Sequence, residues 1–139
     1  MIVLDTNVIS EALKGPQAAP NVIAWLSSLS AVPVTTIVNR AELLAGVALL
    51  PDGRRKEVLH ATITTQLARM GTCLPLTEEA ADCYAEIQAR RQEAGRPISG
   101  FDGLIAAICL ASSSTLATRN TKDFEGLGLD LINPWLLPH

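Results

Sequence analysis

The stretch "MIVLDTNVIS" (residues 1–10) decides the fold, because a strongly apolar run ends there in an aspartate that is followed at once by threonine and asparagine. One interpretation is structural: Asp5 closes a strand and caps the next helix, as Asp and Asn often do. The other is functional: Asp5 is a carboxylate placed at the carboxyl end of a buried strand. The rest of the chain has to decide between them.

The composition is that of a folded α/β protein. The chain has 139 residues, of which 48% are apolar and 18% charged, so it can bury a substantial core and is not a disordered chain. Short β-branched runs alternate with helical stretches, which favours a parallel sheet covered by helices on both faces. We therefore expect a single domain over residues 1–139.

The cellular setting is predicted from the first residues and from the cysteines. The first residues carry no basic segment, and their apolar run is too short for a signal sequence or a spanning helix. The three cysteines form no C-x-x-C pair, so neither a disulfide framework nor a cysteine zinc site is indicated. We expect a cytoplasmic protein with no membrane partner.

The net charge of −3 argues against a protein that holds nucleic acid by bulk electrostatics. Any nucleic-acid contact therefore has to be local. The basic clusters at residues 54–56 and at residues 90–91 with Arg96 are candidates for such a contact, although charged runs of this size are more often solvated helix faces. The few aromatic residues show no obvious base-stacking platform.

The alternation of patterns predicts the order of the elements. Strands are predicted at residues 2–4, 32–37, 73–76, 115–118 and 129–132, which makes a sheet of four to five strands. Helices are predicted at residues 8–13, 21–29, 38–50, 54–70, 80–95 and 101–111.

Two acids in the first half of the chain stand where simple patterning puts apolar residues. Asp5 ends an apolar strand. Glu42 lies on a helix face that we expect to be buried. That face also carries Ala45, Gly46 and Leu49.

A third acid, Asp102 in "SGFDGLIAA", follows the same pattern. It shares a helix face with Ile105, Ala106 and Cys109, so we expect it to point inward. A buried carboxylate is costly unless it is paired, protonated or bound to a metal, and few lysines or arginines lie near these acids in sequence. Something else has to neutralise them.

The topology predicts where these acids meet. Ligands of open parallel sheets bind outside the carboxyl ends of the strands, at a switch point in strand order. Asp5, Glu42 and Asp123 follow the first, second and fourth predicted strands and can share that rim directly. Asp102 joins them if its helix begins at the same edge.

The type of donor predicts the metal. Converging carboxylates repel one another unless a hard divalent cation lies among them, and oxygen ligands suit Mg²⁺ or Mn²⁺. Neither His60 nor His139 lies near the acids in sequence, so a zinc or copper site is not expected. Magnesium held by carboxylates in turn indicates a phosphate substrate.

Four motifs follow one another along the chain: "LDTNVIS" at residues 4–10, "TTIVNRAELLAG" at 35–46, "GRPISGFDGLIAA" at 95–107 and "LATRNTKDF" at 116–124, with "NPW" at 133–135. In these motifs the sequence resembles the PIN-domain ribonucleases, and within them the VapC and FitB type of toxin from bacterial toxin–antitoxin pairs. Their order and spacing match across nearly the whole chain.

The resemblance implies a fold and an activity. The fold is a PIN-like three-layer α/β/α sandwich with a central, mainly parallel sheet. The activity is that of a metal-dependent endoribonuclease that hydrolyses RNA phosphodiester bonds, with Asp5, Glu42 and Asp102 as catalytic residues that hold Mg²⁺ or Mn²⁺. In such an enzyme the metal fixes the scissile phosphate and lowers the pKa of a water that attacks in line.

The fourth metal ligand is open between two residues of "TRNTKDF". Asp123 is preferred for its charge, and Asn120 then holds a water or orients a neighbour; the competing interpretation makes Asp123 the N-cap of a short turn. Thr6, Asn7 and Thr118 are candidates for hydrogen-bonding the metal-binding carboxylates. Turn and cap roles explain Asn7 equally well.

The resemblance also implies partners: an RNA substrate, a cognate small antitoxin protein whose C-terminal segment lies over the acidic groove, and DNA only indirectly through that antitoxin. A homodimer is expected, and the helix at residues 38–50, apolar nearly all round after Glu42, is buried either in the core or against a second subunit. Arg119 and Lys122 either contact RNA phosphates or are exposed loop cations with no such role.

Other acid-rich folds match this sequence less well. A response-regulator receiver domain needs an acidic pair near the end of its first strand and an aspartate after its third, whereas Asp5 stands alone and "CLPL" has none. A haloacid-dehalogenase phosphatase needs D-x-D where this chain has D-T-N. The remaining alternative is a PIN-fold interaction module without nuclease activity, which would lack acids of the cluster that this chain keeps.

Overall fold

A five-stranded parallel sheet lies at the centre of the computed structural model, which describes residues 1–138. The expectation that His139 is no metal ligand therefore concerns a residue outside the described range. The strands are β1 (Ile2–Leu4), β2 (Thr35–Thr36), β3 (Cys73–Leu74), β4 (Thr115–Ala117) and β5 (Leu131–Ile132). Strands β1, β4 and β5 pair in parallel, as do β2 and β3. A parallel bridge between Val3 and Val34 joins the two groups, which gives the order β3-β2-β1-β4-β5.

Six α-helices in the described part of the chain pack on this sheet: α1 (Thr6–Ala12), α2 (Pro20–Ser28), α3 (Ile37–Ala48), α4 (Arg54–Arg69), α5 (Glu78–Glu93) and α6 (Gly100–Ala111). Side-chain caps explain where three of them begin, because Thr36, Thr77 and Ser99 each accept a hydrogen bond from the backbone N–H three residues on. Within residues 1–138, no helix combines the length and apolar character that crossing a membrane requires.

Successive residues of the central strands contribute to two separate cores, because side chains alternate across a sheet. Val3 of β1 and Leu116 of β4 belong to a core that α5 and α6 cover. Their neighbours Leu4 and Ala117 belong to a second core, built with α1, α2, α3 and α4. The sheet therefore lies between two helical layers, and the predicted three-layer α/β/α fold is confirmed.

The second strand is shorter than the six residues that the sequence predicts. Only Thr35 and Thr36 pair as a strand, because Pro33 has no N–H to donate and Val34 makes a single bridge. Thr36 then starts α3 by accepting the backbone N–H of Asn39. The third and fifth strands are also limited to two residues each, and the helix ends agree with the prediction to within two residues.

The face of α3 that carries Glu42 is exposed, so the prediction that it is buried is wrong. Ala45 and Gly46 are exposed, and Leu49 is 86% exposed. Small side chains bury too little apolar area to fix the rotation of a helix about its axis. The residues that fix it lie on another face: Val38, Asn39, Leu43 and Val47 are buried.

Candidate active site

The strand order reverses between β1 and β4, and the candidate site lies beyond the carboxyl ends of these two strands. The chain moves outward from β1 through β2 to β3 and then returns to β4 on the other side of β1. Such a reversal leaves a crevice at the edge of an open parallel sheet. Asp5 follows β1 directly and Thr118 follows β4 directly, so both side chains lie at this crevice.

Asp5 is buried, and hydrogen-bond donors surround its carboxylate. Oδ1 accepts from the backbone N–H of Thr6 at 2.8 Å and from Asn39 Nδ2 at 3.0 Å. Oδ2 accepts from Thr118 Oγ1 at 2.8 Å, with Asn7 Nδ2 at 3.5 Å. Its side-chain orientation is therefore fixed by neutral groups from α1, from α3 and from the residue that follows β4. The structural interpretation of Asp5 is confirmed, because its carboxylate caps α1. The functional interpretation stays a prediction.

Thr118 ties the segment after β4 to this carboxylate. Its Oγ1 accepts hydrogen bonds from Asn7 Nδ2 at 3.2 Å and from the backbone N–H of Asn120 at 3.1 Å. Asn7 Oδ1 in turn accepts the backbone N–H of Arg119 at 3.2 Å. Thus Asn7 and Thr118 together hold residues 118–120 against Asp5.

Glu42 lies one turn into α3 and is joined to the same network through Thr6. Thr6 Oγ1 donates to Glu42 Oε1 at 3.0 Å and accepts from Asn39 Nδ2 at 3.0 Å. Partial burial raises the pKa of the Glu42 carboxyl, and the negative charges of Asp5 and Asp102 raise it further, while the hydrogen bond from Thr6 opposes the shift.

Asp102 lies in the first turn of α6, where Ser99 Oγ accepts its backbone N–H at 3.1 Å. The predicted inward face of this helix is confirmed: Ile105, Ala106 and Cys109 are fully buried. Burial raises the pKa of the Asp102 carboxyl, and the charges of Asp5 and Asp123 add to the shift against the opposing hydrogen bond of Ser99. The start of α6 is therefore within electrostatic reach of Asp5.

Three of the four predicted metal ligands line one open cavity of about 460 Å³. Its lining consists of Asp5, Thr6, Asn7, Ser10, Glu11, Lys14, Glu42, Asp102, Arg119, Asn120 and Trp135. Asp123 lies instead in an adjoining cavity of about 300 Å³, and Asp102 lines both. Of the two candidates for the fourth ligand, Asn120 is the one that shares a cavity with Asp5.

Asp123 is exposed and belongs to a single 3₁₀ turn, Thr121–Phe124. The interpretation of Asp123 as the N-cap of a turn is wrong, because Asn120 occupies the N-cap position and accepts the backbone N–H of Asp123 at its carbonyl, at 3.0 Å. Arg91 of α5 holds this turn in place by donating to the carbonyls of Asp123 and Glu125 at 2.8 Å each.

Three acids of the cavity, Asp5, Glu42 and Asp102, have no basic partner within 4.0 Å in the described residues. Ion pairs within 4.0 Å involve Glu11, Asp52, Glu86 and Glu125, and none involves Asp5, Glu42 or Asp102. The described side chains also form no ready-made cluster of three or more His, Cys, Asp or Glu groups in a metal-ligating arrangement. The three carboxylates thus line one cavity, and burial together with neighbouring negative charge raises the pKa of Glu42 and of Asp102, but the acids are not drawn together into contact.

Two features of the site are absent from the sequence predictions. Asn39 is fully buried and donates to both Asp5 and Thr6; the available signal was a polar residue in the apolar stripe of α3, three residues before Glu42. Trp135 of the "NPW" motif lines the cavity beside Arg119, although the aromatic content predicted no stacking platform.

The fold and the acid-lined cavity define the class to which this protein is assigned. The chain belongs to the PIN-domain family, whose model, described as "PIN domain", matches residues 2–128. Within this family it is similar to the FitB and VapC toxins, as the four motifs predict.

Two relatives and one solved structure support that placement. The chain is 42% identical to the toxin FitB of Neisseria gonorrhoeae over 138 residues, which cover 97% of this chain and 99% of that toxin. It is 40% identical to the VapC ribonuclease Y4jK of Sinorhizobium fredii over 145 residues, which cover 97% of this chain and 98% of that ribonuclease. A solved structure of FitAB bound to an IR36 DNA fragment matches with a TM-score of 0.90 and 42% identity over 100% of this chain and 99% of the solved chain.

Proposed function

We propose that this chain is a Mg²⁺- or Mn²⁺-dependent endoribonuclease and the toxin of a toxin–antitoxin pair. The observation that carries the proposal is a group of three carboxylates, one directly after β1 and one each in α3 and α6, that line one cavity without a basic partner in residues 1–138. The relative named as a VapC ribonuclease, similar over almost its whole length, supports the same activity.

The chemistry of the donor set is compatible with a hard divalent cation. Asp5, Glu42 and Asp102 supply carboxylate oxygens, and Asn120 or Asp123 supplies a fourth oxygen. Burial and, to a smaller extent, repulsion between neighbouring carboxylates raise the pKa values of Glu42 and Asp102, and a bound cation offsets both effects. When bound, Mg²⁺ or Mn²⁺ supplies a nucleophilic water of lowered pKa and charge stabilisation at phosphate oxygens.

The residues around the carboxylates hold the site in shape. Asn39 and Thr118 direct Asp5 toward the cavity, because each donates to one of its two oxygens. Thr6 orients Glu42, and Ser99 fixes the turn of α6 that carries Asp102. Such hydrogen bonds from neighbouring groups commonly set ligand orientation in metal sites.

The cavity also suggests the protein partner. An open, anionic cavity is complementary to a cationic side chain, and we propose that the cognate small antitoxin inserts one there. The solved FitAB structure, which contains a chain similar to this one, is bound to a DNA fragment. We propose that this chain reaches DNA only indirectly, through the antitoxin. The exposed side of α3, together with its C-capping residue Leu49, suits the proposed homodimer interface.

The proposed function is tested by cleavage of a labelled single-stranded RNA with purified protein in Mg²⁺, in Mn²⁺ and in EDTA. The wild type is expected to cleave only with metal, and Asp5→Asn and Asp102→Asn are expected to lose at least about 100-fold in rate, because each removes a charged ligand. Asp82→Asn is the matched control, since it removes the same charge from an exposed position on α5. Cleavage that persists in EDTA or in Asp5→Asn contradicts the proposal.

A second candidate function is that of a PIN-fold interaction module without nuclease activity. The observation that favours it is that the described acids do not form a ready-made metal cluster. Expression of Asp5→Asn in cells separates the two functions. A nuclease toxin loses both RNA cleavage and toxicity with this substitution, whereas an interaction module keeps its effect.

A further inference from the structure

The rim of the acid-lined cavity carries an arginine stacked on a tryptophan. Arg119 Cζ lies over the Trp135 ring, 5.0 Å from its centre, which is a cation–π distance. Both side chains line the cavity that contains Asp5. Arg119 is exposed, whereas Trp135 is half-buried and packs against the second core, so the tryptophan is the fixed member of the pair.

The backbone of both residues is anchored by asparagine side chains. Arg119 donates its N–H to Asn7 Oδ1 at 3.2 Å, and its carbonyl accepts from Asn133 Nδ2 at 3.3 Å. Asn133 Oδ1 accepts the N–H of Trp135 at 3.0 Å, and Asn21 Nδ2 donates to the carbonyl of Trp135. Because Asn7 also contacts the Asp5 network, the pair has a fixed position relative to the carboxylates.

Among the described residues, Arg119 is the cation of this rim that forms no ion pair. Lys14, the other cation of the cavity, is paired with Glu11 at 3.0 Å. Arg119 has no carboxylate within 4.0 Å in residues 1–138, so its N–H groups are available to a ligand. A phosphate that approaches Asp5 and its neighbours meets repulsion, which a cation at the rim offsets.

We propose that Arg119, positioned by Trp135, binds an RNA phosphate next to the scissile bond. A guanidinium binds phosphate through two parallel N–H groups, and stacking on an aromatic ring leaves those in-plane donors free. Because the ring limits the motion of the side chain beforehand, less entropy is lost when the phosphate binds. This inference rests on the proposed RNA cleavage. It adds a cationic contact that offsets the repulsion between the RNA phosphates and the carboxylates of the cavity.

The test compares Arg119→Ala with Arg69→Ala, which removes the same charge from an exposed position at the end of α4, outside both cavities. Steady-state cleavage and equilibrium binding of a single-stranded RNA oligonucleotide are measured at several salt concentrations. Arg119→Ala is expected to raise KM about tenfold with kcat little changed, because a flanking contact contributes equally to ground state and transition state. The slope of log K against log salt is expected to fall by about 0.7, the value for one phosphate contact. Arg69→Ala is expected to change neither quantity.

The role of Trp135 is tested by the pair Trp135→Leu and Trp135→Phe. Leucine removes the stacking surface and is expected to raise KM severalfold, whereas phenylalanine, which keeps an aromatic face, is expected to restore most of the loss. Because Trp135 packs against the core, the urea midpoint of each variant is measured as well. If either variant is unfolded, the exposed Arg119 still decides the proposal through Arg119→Ala and Arg119→Lys.

The outcomes separate this inference from the proposed function. Absence of cleavage by the wild type contradicts the proposed nuclease activity. The salt dependence of RNA binding still tests the phosphate contact of Arg119 in that case. An unchanged KM and slope in Arg119→Ala overturns the phosphate contact. Weaker binding with an unchanged slope also overturns it, because the arginine then stacks on a base instead. A fall in kcat alone overturns the flanking position, because it assigns Arg119 to the chemical step.

Discussion

Asp5 depends on donors from distant parts of the chain to keep a single orientation. Thr118 lies 113 positions away in sequence, and Asn39 lies 34 positions away. Each donor satisfies one carboxylate oxygen, so the charge is stabilised without a cation. Removing a donor leaves a buried charge less well satisfied, and this cost is larger than the net value of the hydrogen bond.

Thr118 offers a matched pair of substitutions. Thr118→Val keeps the shape of the side chain but removes the hydroxyl that donates to Asp5 and accepts from Asn7 and Asn120. We expect the free energy of unfolding to fall by about 1–3 kcal/mol and RNA cleavage to fall by about 10–100-fold. Thr118→Ser, which keeps the hydroxyl, is expected to retain most of both. The expectation is contradicted if valine and serine variants cleave equally well.

At the scale of single residues, the sequence predicts where a side chain lies more successfully when the residue directly follows a strand than when it lies inside a helix. Asp5 and Thr118 come directly after apolar runs, so their position at the sheet edge follows from topology. Asn39 was missed because its importance depends on the rotation of α3, which places it beneath Asp5. No local pattern defines that rotation when a helix carries small residues on several faces.

At the scale of elements, α5 and α6 approach closely at Gly103. A Cβ atom built there would lie 2.9 Å from both Gln88 Nε2 and Tyr84 Cε1. Gly103→Ala is therefore expected to lower the free energy of unfolding by about 1–3 kcal/mol, because the tyrosine ring has to move.

Gly46 of α3 provides the matched control for this prediction. It also lies inside a helix, but a Cβ there meets nothing within 4 Å. Gly46→Ala is expected to stabilise the fold by about 0.5–1 kcal/mol, because alanine loses less backbone entropy on folding. Urea midpoints of both variants check the pair. Equal shifts of the two midpoints in the same direction would show that helix propensity, and not the close approach of α5 and α6, determines the stability change.

The two helices that carry acids show how far patterning predicts an element. In α6, Ile105 and Cys109 define one strongly apolar direction, and the predicted inward face was correct. In α3, the predicted face rested on Ala45, Gly46 and Leu49, whereas Leu43 and Val47 determine which side packs. The large apolar side chains inside α3 outweigh Ala45 and Gly46, and Leu49 caps the end of the helix and does not take part in its packing, which explains why one prediction succeeded and the other failed.

At the scale of the whole molecule, folding brings together charges that are far apart in the unfolded chain. Burial raises the pKa values of Glu42 and Asp102, and neighbouring carboxylates raise them further. Between the ordinary carboxyl pKa and the raised value, the folded protein binds more protons than the unfolded chain. The free energy of unfolding of the metal-free protein therefore gains from these groups as pH falls through that range.

Asp102→Asn tests this reasoning in EDTA. At neutral pH the variant is expected to have a higher Tm than the wild type, by about 2–4 °C for each kcal/mol of relieved repulsion, and the difference is expected to shrink as pH falls below the raised pKa of Asp102. Added Mg²⁺ or Mn²⁺ is expected to raise the Tm of the wild type and to reduce the advantage of the variant.

Glu11→Gln is the control of opposite sign. The backbone N–H of Ala19 and the Lys14 ammonium lower the pKa of the Glu11 carboxyl, so its ionised form stabilises the fold above the ordinary carboxyl pKa. Glu11→Gln is expected to lower Tm at neutral pH, and that loss is expected to vanish as pH falls through the lowered pKa. Thermal melts across pH measure both variants, and a Tm for Asp102→Asn below that of the wild type at neutral pH contradicts the repulsion.

The hydrogen bond between Asp5 and Thr118 also has a consequence for biosynthesis. A ribosome that has polymerised β1, α1 and even α6 has made every acid of the cavity, but the carboxylate at its centre still lacks the strand that aligns it. A nascent or prematurely terminated chain that stops before β4 therefore lacks the hydrogen bond from Thr118 that aligns Asp5 in the candidate site. The proposed action on RNA, including the message that encodes this chain, can therefore begin only after Thr118 has been synthesised, 113 residues after Asp5.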